Sequence, residues 1–323
     1  MSYKVLLKDV QEKIDKEVLM KNETGRRAGK LSWTSYPNLK DIYAFLADVA
    51  SSGKGCSLSV VGQTAHKTDI KMIKLSNGNP SNPAILIDGG MHAREWTSVV
   101  SVLYFIDAIA RNYSKQPPFI TNNDWYIIPV LNPDGYIFSM TKDRLWRKNR
   151  RYFSGPCDGV DINRNFGYSW CQKGGSNSIC SANYCGVEPF SEAESKVIKD
   201  LVSARHFLAY ISVRSYGKKI LFPWAMTPTP TPDIREHIRV SNSVASAMYA
   251  VDKHTFKTGS INRAGRENGA GMAVDWLYSQ GVVHSYMLET RGEGIGAYFL
   301  EPKQIEIAVK EVYAGLVEFA RIM

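Results

Sequence analysis

A histidine and a glutamate three residues apart, within Gly89-Gly90-Met91-His92-Ala93-Arg94-Glu95-Trp96, are side chains that could do chemistry together. A neutral imidazole and a carboxylate at this spacing can sit beside one divalent ion, as a catalytic zinc site requires. The pair alone is common by chance, and its plainer meaning is a structural histidine near a helix-capping glutamate. Its place favours a site. It follows the apolar run Ala84-Ile85-Leu86-Ile87 and two glycines, and α/β sheets bind ligands at such strand ends.

Of five cysteines, Cys157, Cys171, Cys180 and Cys185 fall in one short stretch rich in Gly, Ser and Asn, which reads as stapled by disulfides. No Cys-x-x-Cys knuckle sets two thiolates on one metal, which disfavours a Cys-only zinc site. Cys56 is left over as a small buried apolar residue or a free thiol. Disulfides imply an oxidising, extracellular setting. Met1 to Leu19 nevertheless lacks the apolar core of a secretory signal. The expectation is a secreted protein whose N-terminus is incomplete here.

The elements that must position these groups follow from periodicity. Leu6, Val10 and Ile14 predict an amphipathic helix over residues 5–19, and Leu39, Ile42, Tyr43, Phe45, Leu46 and Val49 make a second helical stripe. Strands are predicted at 58–61, 70–75, 84–87, 125–131, 207–213, 220–222 and 282–288. Helices are predicted at 97–112, 192–204, 232–251 and 304–322. This alternation predicts an α/β fold, a mixed central sheet flanked by helices on both faces. Arg26-Arg27 lies in a Gly- and Lys-bearing connector that reads either as a flexible basic linker or as a protease-cleavable junction. The run Thr227 to Pro232 is a stiff extended loop.

A chain of 323 residues, 44% of them apolar, can bury one large core. No window approaches the ~20 apolar residues of a membrane helix. The formal charge of +9 is dense only at 26–30 and 144–151, and neither run belongs to a nucleic-acid-binding motif. By itself the second run reads as a basic surface loop.

Many segments, in order, carry a resemblance. They are Gly90 to Trp96, Asn132-Pro-Asp-Gly-Tyr136, Arg144-Leu-Trp-Arg147-Lys148, Asp161-Ile-Asn163-Arg164-Asn165-Phe166, Ser215-Tyr216, Asp275-Trp276 and Leu288-Glu289-Thr290-Arg291. The chain thereby resembles the zinc carboxypeptidases of the A and B type over residues 31–323, with residues 1–30 resembling the end of their pro-segment and a basic connector. The resemblance implies an α/β/α sandwich and pairing of Cys157 with Cys180 and of Cys171 with Cys185. It implies one zinc ion, with His92 and Glu95 as ligands, and Glu289 as general base and acid. Arg147 matches the oxyanion-stabilising group, Asn163 and Arg164 the clamp for a peptide's terminal carboxylate, and Arg94 and Tyr216 outer substrate contacts. Planar guanidinium forks suit that carboxylate.

The pattern then breaks. Where the family has its third zinc ligand, in Ser-Ile/Val-His-Ser-Tyr, this chain reads Ser212-Val213-Arg214-Ser215-Tyr216. Arginine stays protonated and has no lone pair to give. At about 4 Å and an effective dielectric of about 20, it would meet a divalent ion with roughly 8 kcal/mol of repulsion. None of His66, His206, His237, His254 and His284 stands in a matching motif, and His284 is expected to face the other side of the sheet from Glu289. Glu267 falls where the family has a mobile tyrosine. Val274 falls at a specificity position and favours an apolar terminal residue, with Arg266 and Asn262 beside it.

The expected protein recognises peptide C-termini as a monomer, without nucleic acid or membrane, and hydrolyses them poorly because Arg214 replaces a zinc ligand. Arg214 is expected to pair with Glu95 and Glu289. Two rivals stand beside this reading: an active secreted carboxypeptidase of digestive type, and a polyanion-binding basic protein.

Overall fold

The computed structural model describes residues 9–23, 31–52, 55–265 and 269–323. Leu6, the Arg26-Arg27 connector, Arg266 and Glu267 lie outside the described residues. Strands β1 (Cys56–Gln63), β2 (Asp69–Leu75), β3 (Ala84–Asp88), β4 (Asp124–Ile128), β5 (Ala209–Arg214), β6 (Lys219–Phe222), β7 (Lys257–Ser260) and β8 (His284–Glu289) form one sheet in the order β1-β2-β4-β3-β5-β8-β6-β7. β4, β3, β5 and β8 run parallel, while β1, β2 and β6 introduce antiparallel pairings. Helices are α1 (Val10–Glu23), α2 (Leu39–Ser52), α3 (Trp96–Ala110), α4 (Pro118–Thr121), α5 (Pro133–Thr141), α6 (Ala193–Ala204), α7 (Ile234–Asp252), α8 (Ile261–Ala264), α9 (Ala273–Ser279) and α10 (Pro302–Ile322).

Strand alternation divides the core. Ile85, Ile87, Ile211, Val213, Tyr286 and Leu288 face a layer built by α2, α3, α7 and α10. Leu86, Tyr210 and Met287 face the opposite layer, with Val197 and Ile198 of α6 and Val274 and Leu277 of α9. By the same alternation, Arg214 and Glu289 project toward the second layer, and the two are register partners across β5 and β8. His284 falls on the other parity, as expected. His206 lies outside β5, which begins at Ala209.

Helix α1 packs Val10 and Ile14 against Tyr216, Tyr298 and Phe299. The Arg144 guanidinium donates to Glu17 through Nε at 2.7 Å and Nη2 at 3.1 Å, and lies over the Trp96 ring. The run Arg144 to Arg151 is therefore not the surface loop its composition suggested. Arg144, Arg147, Lys148 and Asn149 are buried, Arg150 pairs with Asp158, and Arg151 pairs with Glu192. Glu17, Asp161, Asp158 and Glu192 thus pair with the four arginines of the run. Both disulfides join the expected cysteines, and Cys56 is a half-buried free thiol.

Candidate active site

The site lies at the C-terminal ends of the parallel strands β3, β5 and β8, the end of an α/β sheet at which ligands bind in a crevice. After β3 the chain turns through Gly90, whose φ of +61° and lack of a Cβ let Val99 approach closely. Ser98 ties the turn by donating to the Glu95 carbonyl at 2.7 Å and accepting from the Gly90 amide at 3.0 Å. Asn132 donates to the Met91 and Lys148 carbonyls, which joins this turn to the Arg147 loop. His92 and Glu95 are thus buried on a fixed turn, and Glu95 spends its side chain in the site rather than capping α3.

Arg214 fills the space between them. Its Nε donates to Glu95 Oε2 at 3.0 Å and its Nη2 to Oε1 at 3.2 Å. Nη2 also lies against His92, in contact with Nδ1 and 3.1 Å from Nε2. His92 Nδ1 is 2.7 Å from Glu95 Oε1, and Nε2 is 3.0 Å from Asp161 Oδ1. The Ser215 amide adds a hydrogen bond to Glu95 Oε2 at 3.0 Å. Burial would raise the Glu95 carboxyl, but Arg214 and His92 bring it down to about 2. Burial opposes ionisation of Asp161 too, yet Arg147, His92 and Arg164 hold its carboxyl well below the usual range.

The remaining predicted residues converge on this crevice. Glu289 ends β8 as the register partner of Arg214, and any side chain at Gly217 would collide with its carboxylate. Arg147 donates to Asp161 Oδ2 at 2.9 Å through Nη2, so this cation supports the carboxylate that holds His92. Asn163 is buried, accepts from the Ala273 amide at 3.2 Å, and leaves its Nδ2 without a partner among the described residues. Arg164 is anchored through Nε to the Gly174 carbonyl at 3.1 Å. Arg94 lies over the Tyr298 ring, and Tyr216 meets that ring edge-on. Val274 is buried with Met272 and with Ala273, whose amide is the donor to Asn163.

Asp161 was missed as a functional residue, although it begins the Asp161-Ile-Asn163-Arg164 segment. A carboxylate on the far nitrogen of a histidine fixes the ring's orientation. Tyr298 was missed as well, since an aromatic in a glycine-rich stretch carries no spacing signal. Of the other histidines, His237 is buried between Thr231 and the Val283 carbonyl. A separate cluster of Asp252, His254 and Glu311 already surrounds a cation, because Arg291 Nη2 lies 2.6 Å from Asp252, 2.7 Å from Glu311 and 3.3 Å from His254.

This fold and site define a class. Residues 42–315 match the zinc carboxypeptidase family, and the chain belongs to that family. It is 33% identical to mouse carboxypeptidase A1, over 98% of this chain and 77% of that protein. It is 32% identical to carboxypeptidase B of Astacus astacus, over 88% of this chain and 96% of that protein. The crystal structure of thrombin activatable fibrinolysis inhibitor superimposes with a TM-score of 0.90 at 30% identity, covering 98% of this chain and 81% of that one. Carboxypeptidases of this family use zinc and act on peptide C-termini.

Proposed function

We propose that this protein recognises the C-terminus of peptides but has lost efficient hydrolysis, because Arg214 takes the position of the third zinc ligand. The observation that carries the reading is the Arg214 guanidinium bonded to Glu95 and lying against His92. The donor set does not fit a catalytic zinc. His92 and Glu95 offer two ligands where three protein ligands are needed, and the third neighbour is a permanent cation with no lone pair. The guanidinium supplies one positive charge to the buried carboxylates without Lewis acidity. No hydrolytic step is therefore assigned to Glu289 or Arg147.

Recognition rests on the clamp. Asn163 Nδ2, without a partner among the described residues, and the anchored Arg164 suit a carboxylate acceptor, with Arg94 and Tyr216 on the outer side and Val274 favouring an apolar terminal residue. Residues 1–30 act as the end of a pro-segment in this reading, and residues 31–323 as the peptide-binding domain, secreted and monomeric. The test is calorimetry with a peptide and its C-terminal amide. The free acid should bind about tenfold or more tightly, in keeping with hydrogen bonds to a charged group. Equal binding of acid and amide would remove the clamp from the account.

A second reading, an active digestive-type carboxypeptidase, is favoured by the retained Asp161–His92 pair and by Glu289 at the strand end. It requires release of C-terminal residues from a blocked peptide in the presence of zinc.

A further inference from the structure

At the far end of α3 from His92 and Glu95, the chain turns through Asn112-Tyr113-Ser114, in which Asn and Ser flank a residue other than proline. We propose that Asn112 is an N-glycosylation site. Its carboxamide nitrogen forms a bond to the anomeric carbon of an oligosaccharide carried on a lipid pyrophosphate. The bond from that carbon to the pyrophosphate oxygen breaks, the lipid pyrophosphate leaves, and the amide gives up one proton.

Three observations carry the inference. First, Asn112 and Ser114 are exposed, and neither side chain has a hydrogen-bond partner among the described residues, so the acceptor has nothing to give up. Second, the middle residue is the anchor. Tyr113 is buried and donates its hydroxyl to the Asn123 carbonyl at 3.0 Å, and a turn from the Lys115 amide to the Asn112 carbonyl holds its neighbours outward. Such a tripeptide in a surface turn is the arrangement a glycan tolerates. Third, the chain carries two disulfides, and the ER lumen, an oxidising compartment where such bonds form, is also where this transfer takes place. Proline blocks the similar Asn79-Pro80-Ser81, and Asn22-Glu23-Thr24 runs past the described residues. The 15 residues of α3 put roughly 22 Å of helix between Asn112 and the crevice, so a glycan there leaves peptide recognition untouched.

The test expresses the full chain behind an export signal in a eukaryotic secretory host and maps the secreted protein by mass spectrometry. Treatment with peptide-N-glycosidase in heavy-oxygen water should collapse a ladder of hexose-bearing masses and convert Asn112 to a labelled Asp. Asn112→Gln and Ser114→Ala should each abolish that signal, whereas Ser114→Thr keeps it. Affinity for a C-terminal peptide should be the same before and after deglycosylation. A secreted protein whose Asn112 is unmodified overturns the proposal, as does a glycan confined to Asn22.

Discussion

A guanidinium and a divalent metal ion solve the same electrostatic problem in different ways. Glu95, Asp161 and Glu289 are buried acids at the ends of neighbouring strands and turns, and a cation must stand among them. A guanidinium answers that need with directed hydrogen bonds. It offers no lone pair to a metal. Replacement by a neutral side chain of similar length, Arg214→Met, strands the Glu95 carboxylate, and urea unfolding should report a loss of about 3 kcal/mol or more, the usual consequence of breaking a buried pair. Arg214→His should instead create zinc affinity, since it restores a neutral nitrogen donor opposite His92 and Glu95. Zinc titration of that variant checks the assignment, and continued absence of binding would mean that the ligand position lies elsewhere. The Arg214–Glu95 pairing was legible in the sequence, because an Arg at a strand end beside Ser215-Tyr216 has few places to direct its charge. The support of His92 by Asp161, and of Asp161 by Arg147, was not. Those contacts depend on how two loops fold over each other, and spacing along the chain carries no trace of it.

At the scale of elements, the strands and long helices were readable from periodicity, whereas α5 was passed over. Its cues were present in Asn132, which caps the helix by accepting from the Gly135 amide, and in Pro133 at the first turn. Gly135 inside the segment, and the short apolar pattern, obscured them. Strand β7, Lys257–Ser260, was equally hidden, since Lys-Thr-Gly-Ser has little strand propensity and forms only because β6 offers a free edge. The helical stripe of α1 was legible, but its docking was not, because its ion-pair partner Arg144 lies 127 residues from Glu17. Glu17→Ala removes the carboxylate that joins α1 to that guanidinium. Limited proteolysis should then cut α1 faster, while the cleavage rate of the sheet-bearing domain stays unchanged. Uniform protection would show that the packing of Val10 and Ile14 and the Lys13–Glu301 pair hold the helix without it.

At the scale of the whole molecule, the alternating partition of the core was readable because each buried strand sends successive side chains to opposite layers. The meaning of the net charge of +9 was not. Much of the dense run 144–151 is bonded to Glu17, Asp161, Asp158 and Glu192, so little of it is left for a polyanion. Heparin affinity chromatography should accordingly give weak retention that vanishes at modest salt. Stability should also carry a pH signature. Burial pushes the Glu194 carboxyl up to about 8, against 4.5 as the ordinary value. A raised acid favours the fold fully below the ordinary value. That contribution is lost between pH 4.5 and about 8, at no more than about 1.4 kcal/mol per pH unit. Glu194→Gln should flatten this decline and melt higher than the parent at pH 8, as read by thermal scans across that range. The central claim meets its most direct test in elemental analysis of the purified protein after equilibration with zinc, run beside an assay for release of C-terminal amino acids. The account predicts zinc well below one ion per chain and no appreciable release; one tightly held zinc per chain together with release of the terminal residue would contradict it.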